Sequence, residues 1–255
     1  TNISKYGADF MALSERQTDL LNILKENKKA SVQKLAKTLY VSEATIRRDL
    51  AELKSMGLVE RSHGGAILPQ NTEEISIFFR MEKNADEKQR AATKALNHVP
   101  SFKTLFIDSS STALALAQRL DLAFKTVVTN NLQAALLLAQ KPNINLIILG
   151  GAVQNNTNCA LGSWTVRQLN DFTFDLMIAS CAAIADSYTY ERSVEQKELK
   201  LAALNNCRYK ILIVDHTKFE AQTTYKVCRL DEYDLVVTDK KPEVDLSSEK
   251  IKLIF

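Results

Sequence analysis

The chain has 255 residues, 45% of them hydrophobic and 25% charged, which is typical of a folded globular protein and excludes a largely disordered chain. Its length suits one small domain and one larger domain, and it has no apolar run of the roughly 18 residues that would cross a bilayer. The net charge of +3 arises within residues 1–70, which hold 11 Lys and Arg against 8 Asp and Glu, while residues 71–255 hold 22 of each.

Three amphipathic helices are predicted before Gly57. Ser14 begins the first, with Gln17 three residues later as its capping-box partner. Ser31 is expected to cap a short second helix and Ser42 a third, and Gly57 supplies a left-handed helix stop. This order predicts a helix-turn-helix preceded by one helix.

The third helix is the predicted DNA-reading element. Ile46, Leu50 and Leu53 recur at helical spacing and must face the other helices, so the opposite surface is free. Arginine can bind guanine or phosphate, and a serine at a helix start suits a phosphate oxygen, but the sequence does not decide which arginine contacts a base. The candidate DNA-binding residues of the helix-turn-helix are Ser31, at the start of the second helix, and Ser42, Glu43, Ala44, Thr45, Arg47 and Arg48 of the third.

The stretch "LVERSHGGAIL" at residues 58–68 predicts two short strands joined by a turn around His63, Gly64 and Gly65. The first strand carries Arg61, and the second runs from Ala66 to Leu68. A hairpin beside a recognition helix is a wing, which typically contacts the DNA backbone or minor groove. Arg61, His63 and Gly64 are therefore further DNA-binding candidates.

Residues 15–67, "ERQTDLLNILKENKKASVQKLAKTLYVSEATIRRDLAELKSMGLVERSHGGAI", resemble the N-terminal domain of the DeoR family of bacterial transcriptional regulators. The resemblance implies a winged helix-turn-helix domain, assigned here to residues 1–70. Asp49 is expected to pair with or orient a neighbouring arginine. The matching positions are Arg16, Ser42, Thr45, Ile46, Arg47, Arg48, Asp49, Leu50, Gly57, His63, Gly64, Gly65 and Ala66.

Residues 71–100 are charged and Ala-rich and are predicted to be a helical linker to a larger domain at residues 101–255. In that domain, short β-branched strands mostly alternate with helical segments. Such alternation predicts an α/β fold with a largely parallel sheet whose ligands bind at the carboxyl ends of strands. The predicted strands are 104–108, 126–129, 145–150, 174–180, 210–215 and 233–239.

The loops at those strand ends hold the candidate ligand-binding residues. Hydroxyls and backbone amides after Asp108 could bind a phosphate, although a serine-rich turn is more often a simple helix cap. Lys218 could supply a cation, and so could Lys200, although a lone helical lysine usually faces solvent. The candidates are Asp108, Ser109, Ser110, Ser111, Thr112, Asn130, Gly150, Gly151, Lys200, Asp215 and Lys218.

This part resembles the DeoR-family sensor domain, whose fold is shared with ribose-5-phosphate isomerase, glucosamine-6-phosphate deaminase and CoA transferases. The family loop Asp-Ser-Gly-Thr-Thr binds the phosphate of a sugar, and "DSSST" matches it at Asp108, Ser109 and Thr112. Ser110, however, stands where the family has glycine, and Gln196 stands where it commonly has glutamate. Residues 179–196, which correspond to a glycine-rich segment of the family, contain no glycine in this chain. These departures predict a reshaped pocket with an unusual effector or a weak response.

The resemblance implies a transcriptional regulator, expected to be a repressor of carbohydrate-metabolism genes, that binds double-stranded operator DNA and is controlled by a phosphorylated sugar. A homodimer or homotetramer is expected, because one small winged domain buries little DNA surface. The chain is expected to be cytoplasmic, without a membrane partner, since residues 1–25 lack a signal-like pattern. Two alternatives stay open: a sugar-phosphate isomerase-like or deaminase-like enzyme, and a regulator that has lost its ligand response.

No metal site and no cofactor are predicted. The four cysteines are widely separated, with no Cys-x-x-Cys pair and no nearby histidine cluster. The spacing favours buried, reduced thiols. These residues are Cys159, Cys181, Cys207 and Cys228.

Overall fold

The computed structural model describes residues 13–68, 77–154, 157–219, 221–244 and 251–255, except the side chain of Lys25. The chain divides into two compact units, and the division falls between Phe79 and Arg80. The predicted boundary between residues 70 and 71 lies outside the described residues.

The N-terminal unit begins with the three predicted helices, α1 (Glu15–Asn27), α2 (Val32–Thr38) and α3 (Glu43–Ser55). Each starts after a serine whose hydroxyl accepts a backbone N–H three residues later, at 3.1 to 3.2 Å. The capping box of α1 is complete, because the Gln17 side chain accepts the Ser14 N–H at 3.0 Å. Serine hydroxyls satisfy N–H groups that a helix start leaves unpaired, so the predicted helix starts are confirmed.

The apolar faces of the three helices form one core. Leu20 and Leu24 of α1, Leu35 of α2, and Ile46 and Leu50 of α3 are all fully buried. Their spacing is the helical spacing read from the sequence, so the predicted orientation of α3 is confirmed.

The wing is a three-stranded antiparallel sheet in the order β1 (Lys29–Ser31), β3 (Gly65–Ile67), β2 (Glu60–Ser62). The predicted hairpin is β2 and β3, while β1 was not predicted because three residues between two helices show no strand pattern. Gly57 and Gly64 have φ of 68° and 72°, the left-handed conformation expected of glycine. A Cβ at Gly65 would lie 2.1 Å from the Ala30 carbonyl oxygen, so only glycine allows β3 to pair this closely with β1.

The C-terminal unit is built on a seven-stranded sheet in which every neighbouring pair is parallel, which confirms the predicted α/β fold. Six strands correspond to the predicted ones, and the two-residue edge strand β15 was not predicted. The order is β15 (Leu253–Ile254), β14 (Leu235–Thr238), β12 (Cys207–Val214), β9 (Phe174–Ala179), β4 (Thr104–Ile107), β5 (Thr126–Thr129), β6 (Asn145–Ile148).

Helices cover both faces of this sheet, and alternate strand residues point into two separate cores. Leu105 and Ile107 pack with α5 and α6 on one face, whereas Phe106 packs with α8 and α9 on the other. The unit is therefore a three-layer structure with a two-sided core. Its helices are α4 (Ile77–Glu82), which carries the division between the units, α5 (Ala85–Leu96), α6 (Ser111–Ala117), α7 (Leu132–Leu138), α8 (Ser163–Asn170) and α9 (Val194–Asn205).

Two small antiparallel sheets follow strand ends of the large one. The first pairs β7 (Ala152–Gln154) with β8 (Cys159–Leu161). The second has the order β10 (Ala183–Ala185), β11 (Tyr188–Glu191), β13 (Tyr225–Arg229). The turn between β10 and β11 holds Asp186 and Ser187 at positive φ, a conformation that glycine adopts more easily, and it lies in the glycine-free segment 179–196.

Two short 3-10 helices, His216–Phe219 and Leu230–Glu232, follow strands β12 and β13. Within the described ranges, no helix is both long and apolar enough to span a lipid bilayer.

Candidate nucleic-acid interface and effector site

The face of α3 opposite its buried stripe holds the predicted DNA-reading side chains. Ser42, Ala44, Arg47 and Arg48 are exposed, and Thr45 is half-buried. The hydroxyls of Ser42 and Thr45 lie 2.9 Å apart. This face therefore presents hydroxyl, methyl and guanidinium groups together, which are the groups that read base edges and phosphates in a major groove.

The two arginines of this face differ in their partners. Arg47 donates from Nη2 to Glu43 Oε2 at 2.6 Å, an exposed i to i+4 pair. Arg48 makes no hydrogen bond or ion pair with any residue that the structure describes. Arg48 could thus contact DNA without breaking an existing contact, whereas Arg47 would first have to break its ion pair with Glu43.

Asp49, next to this pair, has a different role. It is buried and accepts from Arg16 of α1 through both oxygens, Nε to Oδ2 at 2.6 Å and Nη2 to Oδ1 at 3.1 Å. The hydrogen bond to Asp49 and its negative charge raise the pKa of Arg16. Gln17 adds a second link by donating to Glu52 at 2.7 Å. The arginine that Asp49 pairs with therefore lies on α1, and the pair fixes α3 against that helix.

The wing presents Arg61, His63 and Gly64 at its exposed edge, close to its tip. Ser31 is also exposed, and its hydroxyl caps α2. Tyr40, in the turn before α3, was not predicted as a site residue. It is 94% exposed and has a φ of 54°, which is unusual for a bulky side chain.

In the C-terminal unit, Asp108 organises the carboxyl end of β4. Its Oδ1 accepts from the backbone N–H of Ser110 at 3.0 Å and from the Ser110 hydroxyl. Its Oδ2 accepts from the N–H of Ser180, just after β9, at 3.0 Å, and lies 3.1 Å from Lys200 Nζ. Both carboxylate oxygens are therefore engaged within the protein.

Ser110, the position where the family has glycine, has an ordinary extended φ of −86°. Its hydroxyl accepts the Ala113 N–H at 3.1 Å and caps α6. The residue therefore has a local structural role that glycine could not fill.

Lys200 lies on the inner face of α9 and is buried, not solvent-facing. Its ammonium contacts Glu191 of β11, the Ser180 carbonyl and Asp108. Burial alone would favour the neutral amine, but the charges of Glu191 and Asp108 outweigh it and raise the pKa of Lys200 above its ordinary value. We call Lys200, Glu191 and Asp108 the buried ion cluster.

Three buried polar atoms beside this cluster have no hydrogen-bond partner among the residues described. They are Asn130 Oδ1 and Asn131 Nδ2, after β5, and Ser180 Oγ, after β9. Since β4 lies between β5 and β9, the ends of these strands are adjacent. Both asparagines are otherwise fixed: Asn130 Nδ2 donates to the Ala160 carbonyl at 3.0 Å, and Asn131 caps α7. Fixed, buried and unpaired polar groups are the features of a site that a polar ligand completes.

The turn after β12 places Asp215 and Lys218 at the same edge of the sheet, two strand spacings, or about 10 Å, from β4. Asp215 Oδ1 accepts from the Asn84 amide at 3.1 Å and from the Thr217 backbone N–H at 3.2 Å. Lys218 is half-buried and has no ion pair within the described ranges.

Gly150 and Gly151, after the edge strand β6, serve local packing. The Gly150 carbonyl accepts from Thr165 at 2.8 Å and from Gln168 at 3.1 Å, both on α8. A Cβ at Gly151 would lie 2.2 Å from Thr165 Oγ1. These glycines are therefore approached closely by side chains of α8 and by the backbone of Leu161.

Several residues of this region were not singled out in the sequence. Arg80, Asn131, Ser180 and Glu191 all contact or adjoin the predicted residues. Ser180 is the last residue of one predicted strand and Asn131 lies two residues after another, so their position could have suggested them. Arg80 and Glu191 carry no such indication, because they come from elements far away in sequence.

The cysteines do not form a reactive or metal-binding group. Cys159, Cys181 and Cys207 are buried and Cys228 is partly buried. Burial raises the pKa of Cys181 to about 12, so this thiol stays protonated at neutral pH. Over the described part of the chain, no cluster of three or more His, Cys, Asp or Glu side chains could hold a metal ion.

Comparison with known proteins matches two family models. Residues 16–72 match the DeoR-like helix-turn-helix domain, and residues 83–240 match the DeoR C-terminal sensor domain. Ribose 5-phosphate isomerase A of Methanocaldococcus jannaschii aligns with 53% of this chain and 55% of its own, at 14% identity and a TM-score of 0.38. At that score, the fold assignment rests on the sheet topology and the family models.

Curated relatives match along nearly their full length. The HTH-type transcriptional regulator GolR of Listeria innocua is 33% identical over 89% of this chain and 91% of its own. The glycerol-3-phosphate regulon repressor of Escherichia coli is 31% identical over 92% and 94%, and the HTH-type transcriptional repressor GlcR of Bacillus subtilis is 27% identical over 91% and 90%. These relatives are named as regulators and repressors, which favours regulation over the enzyme alternative. The chain belongs to the DeoR family of DNA-binding transcriptional regulators.

Proposed function

We propose that this regulator represses carbohydrate-metabolism genes by binding operator DNA through α3 and the wing, and that it releases the operator when a phosphorylated sugar binds at the strand ends of the C-terminal unit. The observation that carries the effector half is the group of buried, unpaired polar atoms at Asn130, Asn131 and Ser180.

The DNA half is supported by the exposed face of α3. Arg48 is exposed and could contact bases or phosphates directly, Arg47 can exchange Glu43 for DNA, and the hydroxyls of Ser42 and Thr45, which now bond to each other, lie on the same face. Arg61 and His63 are exposed on the wing and would contact the DNA backbone. A protein that binds chromosomal DNA in a bacterium works in the cytoplasm, and two or four subunits would bring enough winged domains together for tight, specific binding.

For the effector, the proposed contacts fall into two groups. Asn130, Asn131, Ser180 and Lys218 offer unpaired polar or charged groups and would contact the sugar or its phosphate. Asp108 would orient the loop and not contact the effector, because both its oxygens already accept hydrogen bonds within the protein, and Lys200 would hold Asp108 in that position. Serine hydroxyls and backbone amides at 109–112 complete the site.

Coupling between the two halves would be a difference in DNA affinity between the free and liganded protein. Such coupling is typically worth about 1 to 3 kcal/mol, or roughly 5- to 150-fold in affinity. The glycine-free segment 179–196 lies beside the buried ion cluster through Ser180 and Glu191, so the choice of effector would differ from that of relatives with glycine there.

The test is fluorescence anisotropy of a labelled duplex from the region upstream of the protein's own gene, with scrambled DNA as the control, at one fixed salt concentration. Phosphorylated sugars and their unphosphorylated counterparts are added in parallel. We expect tight, sequence-dependent binding that one phosphorylated compound weakens by at least about fivefold.

Tight binding that no compound changes would contradict the effector half and leave a ligand-blind regulator. If the upstream duplex binds no more tightly than scrambled DNA, the measurement is repeated with genomic fragments enriched by pull-down with the protein. The operator half is contradicted if those fragments also bind no more tightly than scrambled DNA. Size-exclusion chromatography with light scattering, with and without the duplex, tests the proposed dimer or tetramer.

A further inference from the structure

Arg80 of α4 carries guanidinium nitrogens that the protein itself does not satisfy. Nη1 donates to the Ser109 carbonyl at 3.2 Å. Nε and Nη2 are both buried and have no hydrogen-bond partner in the part of the chain that the structure describes. A free fork of two N–H donors therefore lies beside the loop that follows β4.

Two buried and unsatisfied guanidinium nitrogens are costly in free energy, since their N–H groups lose water without gaining a partner. Asp108 and Glu191 lie near enough for their charges to favour the protonated guanidinium, but neither accepts a hydrogen bond from it, and both contact Lys200. Burial lowers the pKa of Arg80 from its ordinary value, although the charges of Asp108 and Glu191 act against this shift. In native proteins such a group usually has a ligand, an ion or a mechanism that explains it.

The backbone of Arg80 is held firmly at this loop. Its carbonyl accepts from the Ser111 hydroxyl at 3.1 Å and from the Lys88 ammonium of α5. Together with the Nη1 bond to Ser109, these contacts fix both ends of the residue against the loop at 109–111. The free donors are thus preorganised, and a ligand would not have to order them.

The surroundings of Arg80 favour an anion. Burial lowers the pKa of Lys88 to about 7; Asp215 acts against this shift, while the charges of Lys218 and Arg80 reinforce it. Arg192 adds a further positive charge near Arg80. Cations that depress one another's protonation gain when a dianion enters among them.

We propose that Nε and Nη2 of Arg80 hold the phosphoryl group of the effector, in the two-pronged geometry with which a guanidinium binds two phosphate oxygens. This assignment rests on the proposed function, because it names the protein group that receives the phosphate of that same effector. A lysine at this position would supply the positive charge but not two fixed, parallel N–H donors.

The test is isothermal titration of the full-length protein with glucose 6-phosphate, fructose 6-phosphate, glycerol 3-phosphate and inorganic phosphate, beside glucose, fructose and glycerol. For a phosphorylated compound that binds the wild type, we expect Arg80→Gln to weaken binding by about 10- to 100-fold. Arg80→Lys should fall between the two. Arg119→Gln, which removes the same charge from an exposed side chain of the same unit, should bind like the wild type.

The results separate the assignment from the function beneath it. Wild-type binding with equal affinity in Arg80→Gln overturns the role of Arg80 and leaves the effector site in place. No binding of any phosphorylated compound by the wild type, inorganic phosphate included, overturns both. Equal loss in Arg119→Gln would show a general charge effect and also overturn the assignment.

A measurement on the wild-type protein avoids any folding defect of the variants. Phenylglyoxal modifies guanidinium groups, and peptide mass spectrometry gives its rate at Arg80 with Arg119 as the internal reference. The bound phosphorylated compound should slow modification of Arg80 alone. Unchanged modification of Arg80 under saturating ligand would overturn the proposal.

Discussion

The two units of this protein use charge in opposite ways. In the DNA-binding unit, the charged groups of α3 lie at the surface, where Arg47 pairs with Glu43 and Arg48 has no partner among the described residues. In the sensor unit, charge is buried: Lys200 lies between two carboxylates, and Arg80 keeps two unsatisfied nitrogens.

The difference agrees with what each unit is proposed to recognise. DNA is a large polyanion that meets a surface, and exposed side chains can exchange water for phosphate at little cost. A small anionic metabolite offers few contacts, so its site must hold polar groups ready and shielded from water. The sensor unit therefore contains more buried charge, and substitutions of its buried charged residues should change the free energy of unfolding more than substitutions on the surface of α3.

The largest effect is expected from Lys200→Met, which removes the ammonium and keeps most of the side-chain volume. Asp108 and Glu191 would then be buried without a counterion, at a cost of about 3 to 5 kcal/mol in the free energy of unfolding. Urea denaturation followed by far-UV circular dichroism measures it.

Lys197→Met, on the same helix but only half-buried, is the control and should change the free energy of unfolding little. Adding Glu191→Gln to Lys200→Met should recover part of the loss, because one buried charge is removed. A single variant as stable as the wild type would show that the buried ion cluster does not contribute as described.

A second large effect, on DNA affinity and not on folding, is expected from Arg48→Ala. Loss of an unpartnered guanidinium from the α3 face should weaken operator binding by about 1 to 3 kcal/mol. Anisotropy at several salt concentrations measures both affinity and salt slope. A slope reduced by about one identifies a phosphate contact, whereas relaxed sequence preference identifies a base contact.

Arg208→Ala removes an exposed arginine of the sensor unit and serves as the control. Operator binding by Arg48→Ala with wild-type affinity and salt slope would remove Arg48 from the interface.

A pH-dependent effect, small near pH 7 and growing with pH, is expected from Lys88. Its pKa is about 7 in the folded protein against 10.5 for an ordinary lysine, so above pH 7 the unfolded state binds more protons than the folded one. Stability should therefore rise with pH between about 7 and 10, by at most about 1.4 kcal/mol per pH unit from this residue. Below pH 7 both states are protonated and the contribution is constant.

Thermal unfolding of the wild type and of Lys88→Met at several pH values measures this contribution as the difference between the two profiles. The variant should lack the rise. Lys240→Met, an exposed control, should retain it. Parallel profiles for wild type and Lys88→Met would contradict a depressed lysine pKa.

The smallest effect compares two ion pairs within the DNA-binding unit. Asp49→Asn weakens a buried carboxylate's bond to Arg16, and we expect a loss of about 1 kcal/mol, discounted because Arg16 is more than one-third exposed. Glu43→Gln, in the exposed pair, should cost about 0 to 0.5 kcal/mol. Hydrogen exchange of peptides from α1 and α3 measures both, and equal losses would contradict the distinction between the two pairs.

Sequence reasoning succeeded where the chemistry is local. Ser14, Ser31 and Ser42 cap helices through bonds to residues three positions away, and the strands of the large sheet are continuous apolar runs. The carboxyl ends of parallel strands then place Asp108 and Asp215 at one edge of the sheet without further information.

What the sequence could not supply are contacts between residues far apart in the chain. The partner of Asp49 is 33 residues away on α1, and Lys200 meets Asp108 across 92 positions. The strand β1 depends on pairing with β3, not on its own sequence. Arg80 lies in a stretch predicted only as a charged helical linker, and what distinguishes it is the burial of two of its guanidinium nitrogens in the structure.

The wing sheet also determines how far apart the two elements that we propose to contact DNA can lie. Ser31 is both the last residue of β1, paired with Gly65, and the cap of α2, while the N–H of Val32 donates to the Gly64 carbonyl at 2.8 Å. The wing tip and the helix-turn-helix thus move as one piece. We therefore expect the distance along the duplex between the proposed base contacts and wing contacts to be a property of the protein backbone, so that new operator preferences arise by exchanging side chains on α3 and not by repositioning the wing.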